Sequence, residues 1–386
     1  MKIAVIGGGF AGRAAAQVLG HSLGGGLVDE LVLIDRNEYT TMLPSLPDLA
    51  GDRVREADLR ESIVKLIPTS FKFMQKNILQ VDLNAKEIQF DDTTHYAYDY
   101  LVFAPGSKTN FYGNTVLPAS AYKMDCLQDA LKIRRDAEKF INEHDEINFV
   151  VSGAGFTGIE LATNLYHMAN AMGKKANVTL VEVTNKVLPM LNKSMSSHVQ
   201  KTVESLGIHF LLEKEVVSYN NSVVTFKDGS KIDNAFYCWC AGVMTSVPLI
   251  GNQIETRDKR IMVDAYLRIP EHPEVFVAGD AAAAKNDKDV IVRRAVNFSA
   301  TEGKCAGTNV VNSINKKTLK SYKLVDLGWV IPLYVNSIGE AFGNELKGRI
   351  GISMHYIMCG LKNYSLRHFM NYLGYSARFT FTKPKN

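Results

Sequence analysis

Cysteine is scarce in this chain of 386 residues: there are five, and the first is Cys126. So few scattered thiols exclude a disulfide framework and suit a reducing compartment. Long apolar runs are also missing. No uncharged stretch of about 18 residues occurs, so no segment is expected to span a bilayer. The first apolar run begins at Lys2, with no cationic leader or cleavage site before it, and a cytoplasmic chain is expected. The nine histidines show no ligand spacing, so no metal is expected. Acid is absent from one long region. Leu346 to Asn386 holds Lys347, Arg349, Lys362, Arg367, Arg378, Lys383 and Lys385 but no Asp or Glu, although the chain has 40 acidic residues. Net charge is only +4, and no nucleic-acid partner is expected. With 46% hydrophobic and 22% charged residues, the chain can bury a core for two or three domains.

What is present, twice, is a glycine turn between a strand and a helix. Gly7-Gly8-Gly9-Phe10-Ala11-Gly12 follows the apolar run Lys2–Ile6, and Gly153-Ala154-Gly155-Phe156-Thr157-Gly158 follows Phe149–Ser152. The first glycine permits a tight turn, the second lets the backbone approach a pyrophosphate, and the third lets helix pack on strand. The phosphates then face a helix N-terminus, where N–H groups and the dipole favour negative charge. Each copy has its second half. Leu31–Ile34 ends in Asp35 and Thr179–Val181 ends in Glu182, carboxylates placed to accept ribose hydroxyls roughly 20 residues beyond the glycines. Two dinucleotide sites in one chain suggest a hydride donor and a hydride acceptor. Glu182 favours a nucleotide without a 2′-phosphate, which it would repel, and no Arg follows to counter it.

The predicted class is α/β, with two Rossmann-like dinucleotide-binding domains, the second inserted in the first. Residues 1–112 form the first part of one domain, closing on the buried strand Tyr100–Phe103 and the loop Ala104-Pro105-Gly106. Residues 113–243 form the second domain, with an amphipathic helix over Leu127–Phe140 and a hairpin at Asp228-Gly229. Residues 244–327 return to the first. Their marker is the strand Val275-Phe276-Val277-Ala278 ending in Gly279-Asp280, ahead of a small-residue helix expected from Ala281.

Residues 328–386 differ in character. Ile350, Met354, Ile357, Met358 and Leu361 recur at helical spacing, as do Leu366, Phe369, Met370 and Leu373, with Lys362, Arg367 and His368 on other faces. Such helices either pack on the chain's own domains or lie on an anionic membrane surface; the missing acid favours the membrane. His355 is then expected at an interface.

Together these segments resemble FAD-dependent pyridine nucleotide-disulfide oxidoreductases, and most closely type II NADH dehydrogenases, single-subunit NADH:quinone oxidoreductases that pump no protons. The resemblance rests on both glycine motifs, Met42–Gly51, Cys238-Trp239-Cys240-Ala241-Gly242-Val243, Val275–Asp280 and His355–Tyr364. It implies FAD in the first fold and NADH as substrate in the second. Gly7, Gly9, Phe10, Ala11, Gly12 and Asp35 would hold FAD, with Ala104 and Gly106 in its loop, and Gly279 and Asp280 at the ribityl chain. Pro44 would lie beside the flavin ring. Gly153, Gly155, Gly158, Glu182 and Gly242 would serve NADH, and Glu160 would be the acidic catalytic residue where nicotinamide meets flavin. Hydride would pass from NADH to flavin, and two electrons then to a quinone. The residues at 328–386 would dock to the cytoplasmic face of the membrane, and a homodimer is left open.

One segment departs from the family. Where its quinone pocket has an Ala-Gln-x-Ala-x-Gln-like motif, this chain reads Val296-Asn297-Phe298-Ser299-Ala300-Thr301-Glu302. Asn297 can replace a Gln as a shorter donor and acceptor, and Thr301 is a poorer substitute. No Cys stands near Met42 or at Phe156, where sulfur-relaying relatives need one, so no thiol relay is expected. Cys238 and Cys240 are read as core. Two alternatives stay open: a soluble reductase delivering electrons to a small protein such as rubredoxin or ferredoxin, and a non-enzymatic protein whose surface responds to cofactor.

Overall fold

The computed structural model describes all residues except 24–27, 253, 327, 364 and 382–386. Tyr364, Lys383 and Lys385 of the basic tail therefore lie outside the described residues. In chain order the elements used below are β1 (Lys2–Ile6), α1 (Phe10–Leu23), β2 (Glu30–Asp35), α2 (Leu46–Ala50), β3 (Phe71–Gln75) and β4 (Tyr100–Phe103). Next come α3 (Leu127–Glu143), β5 (Ile147–Ser152), α4 (Phe156–Ala171), β6 (Ala176–Glu182), β7 (Ile208–Leu212) and β8 (Ala235–Trp239). Then follow β9 (His272–Val277), α5 (Val296–Ile314), β10 (Gly328–Leu333), β11 (Asn336–Ala341), β12 (Asn344–Lys347), α6 (Gly348–Lys362) and α7 (Leu366–Phe381).

The chain divides into two compact units. The first comprises residues 1–41, 61–108 and 243–326. Its sheet runs β9-β4-β1-β2-β3, all parallel, with a short antiparallel strand, Arg268–Ile269, beside β9. Both faces of this sheet are covered, which explains why its strands read as unbroken apolar runs. From β1, Ile3 and Val5 enter one core layer with Ala11 and Ala15, while Ala4 and Ile6 enter the other with Val32 and Phe103. Helix α5 crosses α1 closely. A Cβ on Gly303 would stand 2.0 Å from the Ala11 carbonyl oxygen, so glycine alone permits that approach.

The second unit comprises residues 42–60, 109–242 and 327–386. Its sheet has the order β7-β6-β5-β8, again all parallel. Helix α3 runs to Glu143, one turn past the predicted end, and opens with a capping box between Cys126 and Asp129.

The units differ from the expected division in three segments, one of them residues 109–112, which cluster with the second unit. Residues 42–60 cluster with the second unit rather than the first, and residues 328–386 cluster with that unit rather than standing apart. The last region is also not helical throughout. It opens with an antiparallel meander, β10-β11-β12, and helices begin only at Gly348. A second correction concerns Ala281. No α-helix opens there; Gly279–Ala281 is one 3-10 turn followed by the two-residue strand Ala282–Ala283, and the helix starts at Val296. No helix among the described residues is long and apolar enough to cross a membrane.

Candidate functional site: two nucleotide cradles and a buried polar cluster

The first cradle is built where β1 hands over to α1. Gly7 N donates to Ile34 O at 2.8 Å, closing the turn against β2. A Cβ on Gly12 would lie 1.8 Å from the Gly7 carbonyl oxygen, so the third glycine is obligatory for packing. Gly9 is different: nothing lies within 4 Å of where its Cβ would be. That open space is where a phosphate would approach the backbone. Phe10 and Ala11 open the helix and are buried. Arg13, 2% exposed, sends Nε to the Gly9 carbonyl at 3.2 Å and sets a guanidinium beside the turn. Its charge suits an anion there, and helical periodicity alone did not reveal it.

Asp35 ends β2 and points back. Its carboxylate accepts from Gly8 N at 2.6 Å and from Asn37 N at 2.8 Å. Burial pushes its pKa up, against the pull of those hydrogen bonds. On the other side of β1, Ala104 N donates to Ile6 O at 3.0 Å, and Gly106 holds a left-handed conformation with φ of 74°. The Asp280 carboxylate accepts from the Ser107 hydroxyl at 2.7 Å. Gly279 N donates to Glu302 at 2.7 Å, and Glu302 is 3% exposed. Burial raises the Glu302 pKa to about 8. Glu302 therefore supports the Gly279-Asp280 turn from α5, a role that required the fold to be seen.

Asn297 and Thr301 share one face of the first turns of α5. Thr301 is exposed, and its hydroxyl donates to the carbonyls of Asn297 at 3.1 Å and Phe298 at 3.0 Å.

The second cradle repeats the first in detail. Gly153 N donates to Val181 O at 2.7 Å, and a Cβ on Gly158 would lie 1.9 Å from the Gly153 carbonyl oxygen. Nothing lies within 4 Å of a Cβ on Gly155. Helix α4, capped by Gly155, has no side-chain hydrogen bond at its N-terminus, so its first N–H groups face that space. Glu182 accepts from Ala154 N at 3.0 Å and from Thr184 N at 3.0 Å, as Asp35 does from Gly8 and Asn37. Gly242 turns the chain after β8 with φ of 94°, and its carbonyl accepts from Asn110 N at 3.2 Å.

A third constellation was not foreseen. Glu160, one turn into α4, is 9% exposed, and burial raises its pKa to about 8. Around it in the second unit lie Asp48 of α2, Arg53 and His355 of α6, whose charges act on it. His355 Nε2 stands 3.7 Å from Asp48 Oδ2 and 3.8 Å from Cys359 Sγ. Burial disfavours the imidazolium, but the Cys359 sulfur and the Asp48 carboxylate outweigh it and raise the His355 pKa. Burial likewise opposes the Asp48 charge, which His355 and Arg53 restore, leaving its pKa lowered. The expected interfacial histidine is thus a buried one. Pro44, half-buried in a 3-10 turn ahead of α2, belongs to this unit and not to the unit of the first cradle.

All five cysteines are free. Cys238 is buried in β8, and Cys240 follows the end of that strand. Burial raises the Cys238 thiol well above its ordinary value and the Cys240 thiol to about 12, so both stay protonated.

The chain matches the pyridine nucleotide-disulphide oxidoreductase family over residues 1–301. It is similar to the type II NADH:quinone oxidoreductase of Staphylococcus haemolyticus, 26% identical over 373 residues that cover 90% of this chain and 91% of that protein. The corresponding protein of Staphylococcus epidermidis is 26% identical over 369 residues, with the same coverage. The fold is similar to that of NDH2 from Plasmodium falciparum, solved in complex with NADH. The TM-score is 0.80, with 16% identity and 98% of each chain covered. With its two cradles on parallel sheets, the chain belongs to the pyridine nucleotide-disulphide oxidoreductase family.

Proposed function

We propose that this chain is an FAD-dependent NADH:quinone oxidoreductase that works at a membrane surface. The carrying observation is the duplicated cradle: two open glycine turns, each with a carboxylate reaching back to the turn. Similarity to type II NADH:quinone oxidoreductases over nine-tenths of both chains supports the quinone as acceptor. The first cradle fits FAD, because the space before Gly9 is clear and Asp35 offers acceptors beside it. The chemistry a flavin supplies when bound is two-electron transfer from reduced nicotinamide to quinone.

In this reading Gly7, Gly9 and Gly12 hold the FAD pyrophosphate, with Phe10, Ala11 and Arg13 behind it, and Asp35 takes the ribose. Ala104, Gly106 and Gly279 shape the loops beside Asp280, which Ser107 orients. Gly153, Gly155, Gly158 and Gly242 shape the NADH site, and Glu182 rejects a 2′-phosphate by like charge. Glu160 is protonated near neutral pH and so offers a hydrogen-bond donor. Asn297 and Thr301 present amide and hydroxyl groups to quinone. One NADH and one proton convert one quinone to quinol and NAD+.

The membrane part rests on the tail. Ile350, Leu361, Leu366, Met370 and Phe381 are exposed, interleaved with exposed Arg349, Arg367 and Arg378. That mixture suits an anionic lipid surface, reached from the cytoplasmic side. The test is purified protein with FAD bound, assayed with NADH and quinones in detergent. Absence of quinone reduction removes the proposal. A soluble reductase for a small redox protein is favoured by the Asn297–Thr301 departure. It predicts rapid transfer to such a protein and no vesicle binding.

A further inference from the structure

The tail helices are inverted relative to a simple amphipathic pattern. Ile350, Leu361, Leu366 and Met370 stand outward, whereas His355, Tyr356, Tyr372, Tyr375 and Phe379 are turned inward with Ile352. That inner face rests on residues 42–60 of the same unit, an excursion closed at its base where Met42 N donates to Leu59 O at 2.7 Å. The excursion contains only short helical turns, so side chains rather than a strand ladder hold its shape.

The seam between them is polar, with Asp58 buried at its centre and Arg55 at its exposed rim. Asp58, its side chain 1% exposed, accepts from the Tyr375 hydroxyl at 2.5 Å, from Asn371 Nδ2 at 2.8 Å and from Arg55 Nε at 2.9 Å. The Tyr372 hydroxyl donates to Ser45 Oγ at 2.8 Å. Arg53 lies 4.1 Å from the Phe379 ring and 4.8 Å from that of Tyr334, and donates to the Tyr334 carbonyl at 2.8 Å. Arg53 and Asp48 also meet His355 and Tyr356 of α6. Lipid taken up by the outer face of α7 therefore loads a helix whose inner face meets this excursion, which α3 and α4 hold from the other side.

We propose that the Asp58 seam couples docking of α7 on anionic lipid to the shape of residues 42–60, so that quinone turnover responds to the membrane. The inference rests on the proposed function, because Asp48 and Arg53 of that excursion lie around Glu160 in the same unit. Asp58, Tyr375 and Asn371 are positioning residues in it. Transfer of electrons from NADH to a soluble one-electron acceptor, ferricyanide, does not need the seam.

The test uses full-length holoenzyme, wild type and the variants Asp58→Asn and Tyr375→Phe. Vesicles are equal parts phosphatidylglycerol and phosphatidylcholine, and the acceptors are ferricyanide and a short-chain soluble quinone. For the wild type, vesicles should raise quinone kcat/KM about fivefold or more, leaving ferricyanide reduction unchanged. Both variants should bind vesicles and reduce ferricyanide normally, yet lose the quinone response. Hydrogen exchange of residues 42–60 in the wild type should slow on vesicle binding, a readout independent of whether a variant folds. Variants that respond as the wild type does, or unchanged exchange in vesicle-bound wild type, overturn the coupling. Ferricyanide reduction with no quinone reduction under any condition overturns the proposed function instead, and the exchange result then decides the seam alone.

Discussion

Glycines that look equivalent in the motif are held for opposite reasons, and this separates two kinds of damage. Gly12→Ala places a methyl group 1.8 Å from a backbone oxygen and should prevent the unit from folding. Gly9→Ala meets nothing, so the flavin-free chain should melt within about 0.5 kcal/mol of wild type, while FAD affinity falls about tenfold. Flavin-to-protein ratio and thermal melting, measured together, check both. Glu182→Gln should narrow the preference for NADH over NADPH about tenfold by removing like-charge repulsion, read as the ratio of kcat/KM values. Glu302 concerns protons. Its folded pKa of about 8 lies above its ordinary 4.5, so the folded chain binds more protons than the unfolded one. Stability from this group is present below about 4.5 and is lost as pH rises toward 8. Glu302→Gln, which keeps an acceptor for Gly279 N, should flatten that fall in urea melts of the flavin-free chain. Parallel pH profiles for variant and wild type would contradict the assignment.

At the scale of elements, the proposed docking rests on α7. Leu366 and Phe381, at 76% and 80% exposed, leave apolar surface in water at the ends of α7. Burying a leucine side chain in lipid gains about 1.5–3 kcal/mol, so two such residues change partitioning by orders of magnitude. The double variant Leu366→Glu, Met370→Glu should abolish vesicle flotation without lowering the melting temperature, since neither residue is buried. Loss of stability instead would mean that this face packs on protein. High salt should weaken flotation of the wild type, because Arg349, Arg367 and Arg378 act through a screened attraction.

At the scale of the molecule, the tail is part of the second unit and not an appendage. Deleting residues 346–386 takes His355 from Asp48, Phe379 from Arg53, and Tyr375 and Asn371 from Asp58, leaving these buried charges only Arg53, Asp48 and Arg55 as charged partners and uncovering them. The truncated chain should lose at least about 3 kcal/mol in chemical denaturation, so it is a poor test of membrane binding. The two parallel sheets, the glycine turns with their carboxylates, and the covered strands were legible in the sequence, because period, turn chemistry and apolar runs are local properties. The tail's helical spacing was legible too, but not which way its faces turn. His355 reads as interfacial, and the helical spacing says nothing of Tyr372 and Tyr375, until Asp48, Ser45 and Asp58 are brought to them from about 300 positions away. Glu302 under Gly279, and the assignment of residues 42–60, likewise follow from packing across long separations, which no local pattern encodes. The chain by itself determined two glycine turns, each with a carboxylate behind it. Only the tertiary structure decided which polar groups are buried together, because burial and pairing belong to the folded neighbourhood and not to the residue.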